Sequence, residues 1–151
     1  YFVTQKLFEQ KILNNEFLEY QKVYDNYYGT GIRETSELLR KGKDVILEID
    51  YKGMMSVKQI FPSAISIYIV PPSVETLRER LGVRGQDTVE VIKNRMRSSI
   101  HELLYAKFAD YVVVNDDFKR ASSELLKIIV STKIDSCGMN AWLTRLTKIY
   151  N

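Results

Sequence analysis

The chain has 151 residues, of which 45 % are hydrophobic and 27 % are charged, as in an ordinary globular domain with its own core. Twenty-two basic against nineteen acidic residues leave a net charge of +3, too balanced to indicate a nucleic-acid or membrane partner. No segment reaches the roughly 18 apolar residues of a spanning helix.

The single Cys137 excludes an internal disulfide and fits a reducing compartment, which predicts a cytoplasmic location. No signal peptide is visible. Because the chain starts without Met at Tyr1-Phe2-Val3, which is typical of a strand, we expect the natural protein to begin further upstream.

Helical and strand-like segments alternate along the chain, which predicts an α/β fold with a parallel sheet. Thr4 is the expected N-cap of the first helix, Gly42 closes the second, and Ser73 caps the fourth. The predicted helices cover about residues 5–13, 33–41, 54–60, 74–81, 87–104 and 118–129. The predicted strands lie within residues 17–24, 42–53, 64–70 and 111–114.

The stretch GKDVILEIDYKG, residues 42–53, holds the strongest predicted strand. Its apolar residues Val45-Ile46-Leu47 and Ile49 are typical of a central parallel strand that is covered on both faces. Glu48 and Asp50 are two apart, so both carboxylates face the same way near the carboxyl end of the strand, where α/β sheets bind ligands. A strand that ends at the surface with solvated acids is an equally open alternative.

Three arginines could bring positive charge to a phosphate. Arg80 and Arg84 are four apart at the end of one predicted helix, and Arg84 lies between glycines in the loop 82–86. Such a loop can close over anionic oxygens, and phosphoryl transfer is stabilised mainly by positioning and charge. For each of them, and for Arg95 in the long helix, a solvated arginine is the more common explanation.

Two polar clusters could contact a nucleotide. The hydroxyls of Tyr27-Tyr28-Gly29-Thr30 can bind a phosphate or a base edge, although aromatic packing beside a hairpin is the better explanation for Tyr27 taken alone. Asn115-Asp116-Asp117 follows an apolar strand, where Asn could read an adenine edge, but these residues also favour turns and helix caps. Residues for which we expect packing or no chemical role are Met54, Met55, His101, Cys137 and Trp142.

Five blocks, taken in order, resemble guanylate kinases, which transfer the γ-phosphoryl group of ATP to GMP. The blocks are NNEFLEY (14–20), NYYGT (26–30), GKDVILEID…G (42–53), PPS…L..RL..RG (71–85) and VVNDD (113–117). The resemblance covers about residues 1–129. It implies the parallel-sheet fold of nucleoside-monophosphate kinases, with part of a GMP-binding subdomain at 1–31 and a core at 32–130. A lid is expected at about 80–95 and a C-terminal extension at 131–151.

The resemblance also implies a GMP site. Tyr1 and Tyr28 match the tyrosines that hold the GMP phosphate. Glu19 matches the acid that accepts hydrogen bonds from the guanine N1 and amino groups, while Thr30 and Asp50 match the other groups on the base edge. The residues that the resemblance assigns to GMP are Tyr1, Glu19, Tyr28, Gly29, Thr30, Glu48 and Asp50.

On the ATP side, Arg80, Arg84 and Arg95 match the lid arginines that bind the ATP phosphates and stabilise the negative charge of the phosphoryl group during transfer. Asn115 matches the adenine contact. Glu48 matches an acid at the transfer site that acts through Mg²⁺-bound water. The implied partners are therefore GMP and ATP with Mg²⁺, with no metal ligand of the protein's own, no nucleic acid and no membrane. A homodimer stays open.

Two features depart from the family. The glycine-rich loop G-x-x-x-x-G-K-[ST] does not occur in the 151 residues, and the two arginines that normally precede the position of Tyr1 are missing. We interpret the chain as an N-terminally incomplete copy and expect almost no kinase activity from it alone. Lys52 stands where the family more often has Gln, with no predicted consequence. Residues 140–149 could form an amphipathic helix.

Two other functions stay open. A guanylate-kinase-like scaffold module would be catalytically inactive and would bind phosphorylated peptides in the GMP cleft. Such modules typically lose the ATP-side groups, whereas this chain keeps Arg80, Arg84, Arg95 and Asn115. An unrelated α/β nucleotide binder would require all five blocks to be coincidental. The sequence therefore favours a guanylate kinase of purine nucleotide metabolism.

Overall fold

A computed structural model of the protein describes residues 1–23, 25–82 and 89–132. The chain divides into two compact units, Tyr1–Ser66 and Ile67–Asn151. Each described unit combines helices with a two-stranded sheet, and the predicted α/β class is confirmed. No described helix has the length and apolar character needed to cross a bilayer. The predictions that fall outside the described residues concern Arg84, the start of the helix at 87–104, Cys137, Trp142 and the helix at 140–149.

The first unit runs α1 (Gln5–Leu13), β1 (Phe17–Val23), β2 (Asn26–Gly31), α2 (Ile32–Arg40) and α3 (Tyr51–Ile60). The cap predictions are confirmed. The Thr4 hydroxyl accepts a hydrogen bond from the Leu7 N–H at 3.3 Å, and α1 ends at Asn14. Gly42 follows the end of α2 with a φ of 71°, the left-handed conformation that glycine adopts without strain.

The core of the first unit lies where α1 and α3 pack on the hairpin. Its buried side chains include Phe8 of α1, Leu18 of β1, and Met54 and Val57 of α3. Burial of these apolar surfaces is the main force that holds the hairpin against the helices. Met54 is buried as expected, but the prediction for Met55 is wrong, because that side chain points away from the core and is 39 % exposed.

The predicted central strand within residues 42–53 is wrong. Residues 43–50 are not a strand, and neither described sheet includes them. Exposure alternates along residues 45–49 as it would in a strand, but Ile46 is 79 % exposed instead of covered. An apolar β-branched run favours extended backbone, whereas a strand also requires a neighbour that supplies hydrogen bonds. The strand expected at Tyr1-Phe2-Val3 is absent from the described structure for the same reason.

The second unit runs β3 (Ile67–Val70), α4 (Val74–Gly82), α5 (Val89–Leu103), a 3-10 helix (Leu104–Phe108), β4 (Tyr111–Val114) and helix α6 over residues 118–132. β3 and β4 pair in parallel, as predicted, with Ile67 opposite Tyr111. β3 is shorter than the predicted strand at 64–70. The prediction that Ser73 caps α4 is confirmed, since its hydroxyl accepts a hydrogen bond from the Thr76 N–H at 3.1 Å.

Candidate functional site

The β1–β2 hairpin presents two different faces, which its register fixes. Glu19 lies opposite Thr30, and Gln21 lies opposite Tyr28. Because directly opposed residues on antiparallel strands share a face, and residues two apart on one strand do as well, these four side chains lie on the same face. The Thr30 hydroxyl donates a hydrogen bond to the Glu19 Oε1 carboxylate oxygen at 2.6 Å. Two of the predicted base-reading residues are therefore joined directly.

The other face of the hairpin is aromatic. The Phe8 ring of α1 stacks on Phe17 and Tyr27, with centroid distances of 4.3 and 5.2 Å. Tyr27 thus has the packing role that was the alternative for it, and its neighbour Tyr28 lies on the opposite face. Gly29 faces this packing, where an added Cβ would meet the Glu19 backbone oxygen at 2.9 Å and the Tyr20 Cβ at 3.0 Å. Glycine is therefore required for the close approach of the two strands.

Asp50 is the N-cap of α3, which explains why this helix starts at Tyr51 and not at the predicted residue 54. The Asp50 Oδ1 atom accepts a hydrogen bond from the Gly53 N–H at 2.9 Å, so the carboxylate is the N-cap. Gly53 lies against the base-reading group, because a Cβ built there would be 3.5 Å from the Glu19 Cγ and 3.0 Å from the Ile49 Cβ. The first turn of α3, which Asp50 caps, therefore lies against Glu19.

The remaining predicted GMP residues are more exposed. Tyr28 is 59 % exposed, and Tyr1 projects fully into solvent with no hydrogen bond in the described structure. Glu48 is exposed in the extended segment before α3. The structure thus joins Glu19 to Thr30 and places the helix turn that Asp50 caps against Glu19, and it leaves Tyr1 without a contact to these residues.

In the second unit, two of the predicted ATP residues meet. The Arg80 guanidinium, near the end of α4, donates a hydrogen bond from Nη2 to the Asn115 backbone carbonyl at 2.8 Å. The Asn115 N–H in turn donates to the Val70 carbonyl at 2.8 Å, which fixes it at the carboxyl ends of β3 and β4. The Asp117 carboxylate accepts from the Arg120 N–H at 2.9 Å, so this aspartate has the capping role that was its alternative.

Arg95 lines a cavity of about 430 Å³ along one face of α5. The residues lining it are Leu81, Val91, Asn94, Arg95, Ser98, Ser99 and Glu102. His101 of the same helix lies beside the Tyr105 ring, with centroids 5.6 Å apart. The cavity therefore combines one cation and one carboxylate with hydroxyl and amide groups.

An ion pair fixes the start of the hairpin relative to α1. The Lys11 Nζ donates to the Glu16 Oε2 carboxylate oxygen at 2.6 Å, and Asn14 donates to the other carboxylate oxygen at 3.2 Å. The hydrogen bond from Lys11 lowers the pKa of Glu16 below its ordinary 4.5. The same bond raises the pKa of Lys11 above 10.5. The described residues form no cluster of three or more acidic, His or Cys ligands for a metal ion.

Sequence reasoning did not single out Gly53 or Gln21. The spacing Asp50-x-x-Gly53 could have indicated Gly53, because a helix cap places its carboxylate next to the N–H of the residue three positions on. Gln21 could have been found from alternation alone, since it is two residues after Glu19 on a strand.

Known proteins are similar to this chain over most of its length. A sequence model of the family "Guanylate kinase" matches residues 1–132. A guanylate kinase of Photorhabdus laumondii is 45 % identical over 134 residues, which is 89 % of this chain and 65 % of that protein. A guanylate kinase of Carboxydothermus hydrogenoformans is 42 % identical over 140 residues, covering 93 % of this chain and 69 % of that protein.

A solved structure agrees with these relatives. The crystal structure of guanylate kinase from Anaplasma phagocytophilum matches with a TM-score of 0.69 and 27 % sequence identity, covering 87 % of this chain and 64 % of that one. The chain therefore spans just under two thirds of the Photorhabdus and Anaplasma proteins.

Proposed function

Since this chain belongs to the guanylate kinase family, we propose that the protein transfers the γ-phosphoryl group of ATP to GMP, giving ADP and GDP. The observation that carries the proposal is the group formed by Glu19, Thr30 and Asp50. Glu19, which accepts a 2.6 Å hydrogen bond from the Thr30 hydroxyl, and Asp50, which caps the helix turn lying against Glu19, match the donors of a guanine edge.

Guanine selection follows from the charge of these acceptors. Guanine offers N1–H and an amino group as adjacent donors, whereas adenine presents an unprotonated N1 at the same edge. Glu19 has one oxygen occupied by Thr30, and its second oxygen has no hydrogen-bond partner among the described residues. Adenine at this site would leave that carboxylate oxygen unpaired, and unpaired polar groups are what make such sites selective.

The transfer itself joins a GMP phosphate oxygen to the γ-phosphorus while the bond from that phosphorus to the β,γ-bridging oxygen breaks. Negative charge spreads over the transferring group and the leaving ADP. We assign its stabilisation to Arg80, Arg84 and Arg95, and the adenine contact to Asn115. Tyr1, Tyr28 and Gly29 are assigned to the GMP phosphate side.

Mg²⁺ belongs to the proposal as a companion of ATP. The ion would be held mainly by the phosphates, with Glu48 acting through a bound water. A cytoplasmic location and a role in purine nucleotide metabolism are also part of the proposal, and they are supported by the single cysteine and the relatives named above.

A coupled assay of ADP release on the full-length protein tests the proposal. We expect much faster turnover with GMP than with AMP. The Glu19→Gln variant should lose about 1–3 kcal/mol of GMP binding, since it removes a charge-assisted acceptor. The control Glu9→Gln changes a glutamate of α1 whose carboxylate accepts a hydrogen bond from Gln5, outside the proposed site, and it should behave as the unchanged protein.

Two outcomes would contradict the proposal. Equal rates with AMP and GMP would remove the role of the Glu19 group in base selection. GMP binding without any ADP release by the full-length protein would favour the scaffold function, and binding of phosphorylated peptides would then be the next measurement.

A further inference from the structure

Gln21 shares the base-reading face of the hairpin, although no role has been given to it. The register places it directly opposite Tyr28 and two residues after Glu19. Neighbours of this kind have Cβ atoms about 5 Å apart across the strands and about 7 Å apart along one strand. Its carboxamide is therefore within reach of any ligand that contacts both of these residues.

The environment of Gln21 differs from that of its neighbours in β1. Tyr20 and Lys22, on the opposite face, are exposed, whereas Gln21 is half-buried. Its carboxamide makes no hydrogen bond with any described residue. A half-buried amide offers two donors and an acceptor that water satisfies only in part, so a ligand with matching groups gains from contacting it.

We propose that the Gln21 carboxamide binds one of the two ribose hydroxyls, 2′ or 3′, of the nucleoside monophosphate. This inference rests on the proposed function, in which Glu19 contacts the base and Tyr28 the phosphate. The sugar joins these two ends of the ligand. Gln21 lies beside both residues. Because the Gln21 side chain is shorter than that of Tyr28, its amide lies nearer to the sugar than to the phosphate that the Tyr28 hydroxyl contacts.

The chemistry of the carboxamide fits a sugar hydroxyl better than the other parts of the ligand. A phosphate oxygen only accepts hydrogen bonds and would use only the amide N–H groups. A hydroxyl both donates and accepts, and an amide that presents an oxygen and a nitrogen can pair with it in either direction. The guanine edge is already matched by the two carboxylates, which accept from its donors.

Dissociation constants measured by calorimetry on the full-length protein test the inference. The probes are GMP, 2′-deoxy-GMP and 3′-deoxy-GMP, and the variant is Gln21→Ala. We expect the variant to bind GMP about three- to tenfold more weakly, the usual loss for one hydrogen bond. It should bind one of the deoxynucleotides with the same affinity as the unchanged protein, and that nucleotide identifies the hydroxyl concerned.

A matched control is Gln10→Ala, which removes an exposed glutamine of α1 and should leave all three constants unchanged. If Gln21→Ala weakens all three nucleotides by the same factor, the residue acts on the hairpin or the phosphate, and the inference is wrong. It is also wrong if the variant binds GMP as tightly as the unchanged protein. If the unchanged protein binds no GMP at all, it is the proposed function itself that fails.

Discussion

The two units of the molecule differ in how firmly their own residues hold the predicted ligand groups. In Tyr1–Ser66, Glu19 is fixed by the Thr30 hydroxyl, and Asp50 is fixed by the first turn of α3. In Ile67–Asn151, Arg80 is bonded to a backbone carbonyl, but it lies on an exposed helix end, and α4 has no buried residue. The first unit has arranged its acceptors before any ligand binds, whereas the second presents long cationic side chains at its surface.

This difference corresponds to two kinds of recognition. A base edge is read by donors and acceptors at fixed positions, and groups that are already arranged lose little entropy when the ligand binds. A transferring phosphoryl group is stabilised by charge that need only act in the transition state. We therefore expect substitutions in the first unit to change GMP affinity and selectivity, and substitutions of the second unit's arginines to change turnover.

Arg84→Ala should have the largest effect. In the full-length protein we expect kcat to fall by about 10²–10³, because the lost contact develops mainly in the transition state. The KM for GMP should change much less. Arg78→Ala, which removes an exposed arginine of α4 outside the proposed site, is the control. An unchanged kcat with a raised KM for GMP would mean that Arg84 only helps to bind substrate.

Gly29→Ala tests how tightly the first unit is built. The added Cβ would meet the Glu19 backbone oxygen at 2.9 Å, and backbone atoms of paired strands cannot move aside. We expect the free energy of unfolding to fall by about 1–3 kcal/mol, as for other overpacked sites. Denaturant unfolding measures this loss. The control Gly82→Ala adds the same group where no atom lies within 4 Å, and equal loss in both variants would contradict the steric explanation.

Thr30→Val separates the fixed arrangement of the first unit from its charge. The variant keeps the shape of Thr30 but removes the hydrogen bond to Glu19, so the carboxylate is no longer held. We expect GMP to bind about two- to tenfold more weakly, corresponding to one hydrogen bond. Thr30→Ser keeps the hydroxyl and should bind GMP nearly normally. If both variants bind GMP as the unchanged protein does, Glu19 is not positioned by its neighbour.

Local signals in the sequence predicted the helix ends well. Thr4, Ser73 and Gly42 have the cap positions expected of them, because a cap depends only on the few residues around it. The parallel strand at Tyr111–Val114 was also predicted with its bounds, since its apolar run is short and uninterrupted. The segment at 42–53 failed because pairing depends on a distant neighbour, which local composition does not specify.

The candidate site was predicted only in part for a related reason. Glu19 and Thr30 were named from the resemblance, but their mutual hydrogen bond follows from the hairpin register, which residue types alone do not give. Asp50 was placed on a strand, whereas its side chain caps α3. Gln21 could not be identified from its residue type, because its proposed role depends on the residues that strand pairing places around it.

The smallest expected effect concerns the ion pair that joins α1 to the hairpin. The depressed pKa of Glu16 means that its contribution to stability is present above about pH 4.5 and is lost as the pH falls through the lower folded value. The raised pKa of Lys11 means that its contribution is complete below about pH 10.5 and is lost as the pH rises through the higher folded value. Glu16→Gln should therefore be slightly less stable than the unchanged protein near neutral pH. The difference should close in acid, because protonated Glu16 and Gln are both neutral.

Denaturant unfolding near neutral pH and near pH 3 measures the effect. Glu9→Gln is the control, since it removes a charge of α1 that is hydrogen-bonded to the neutral Gln5 side chain. Because Lys11 and Glu16 are partly exposed, solvent screens their attraction, and the difference should shrink further in high salt. A difference that is equally large at both pH values would show that Glu16 holds the hairpin through packing or its backbone. The 2.9 Å hydrogen bond from the Ile32 N–H to the Glu16 carbonyl would then be the contact that matters.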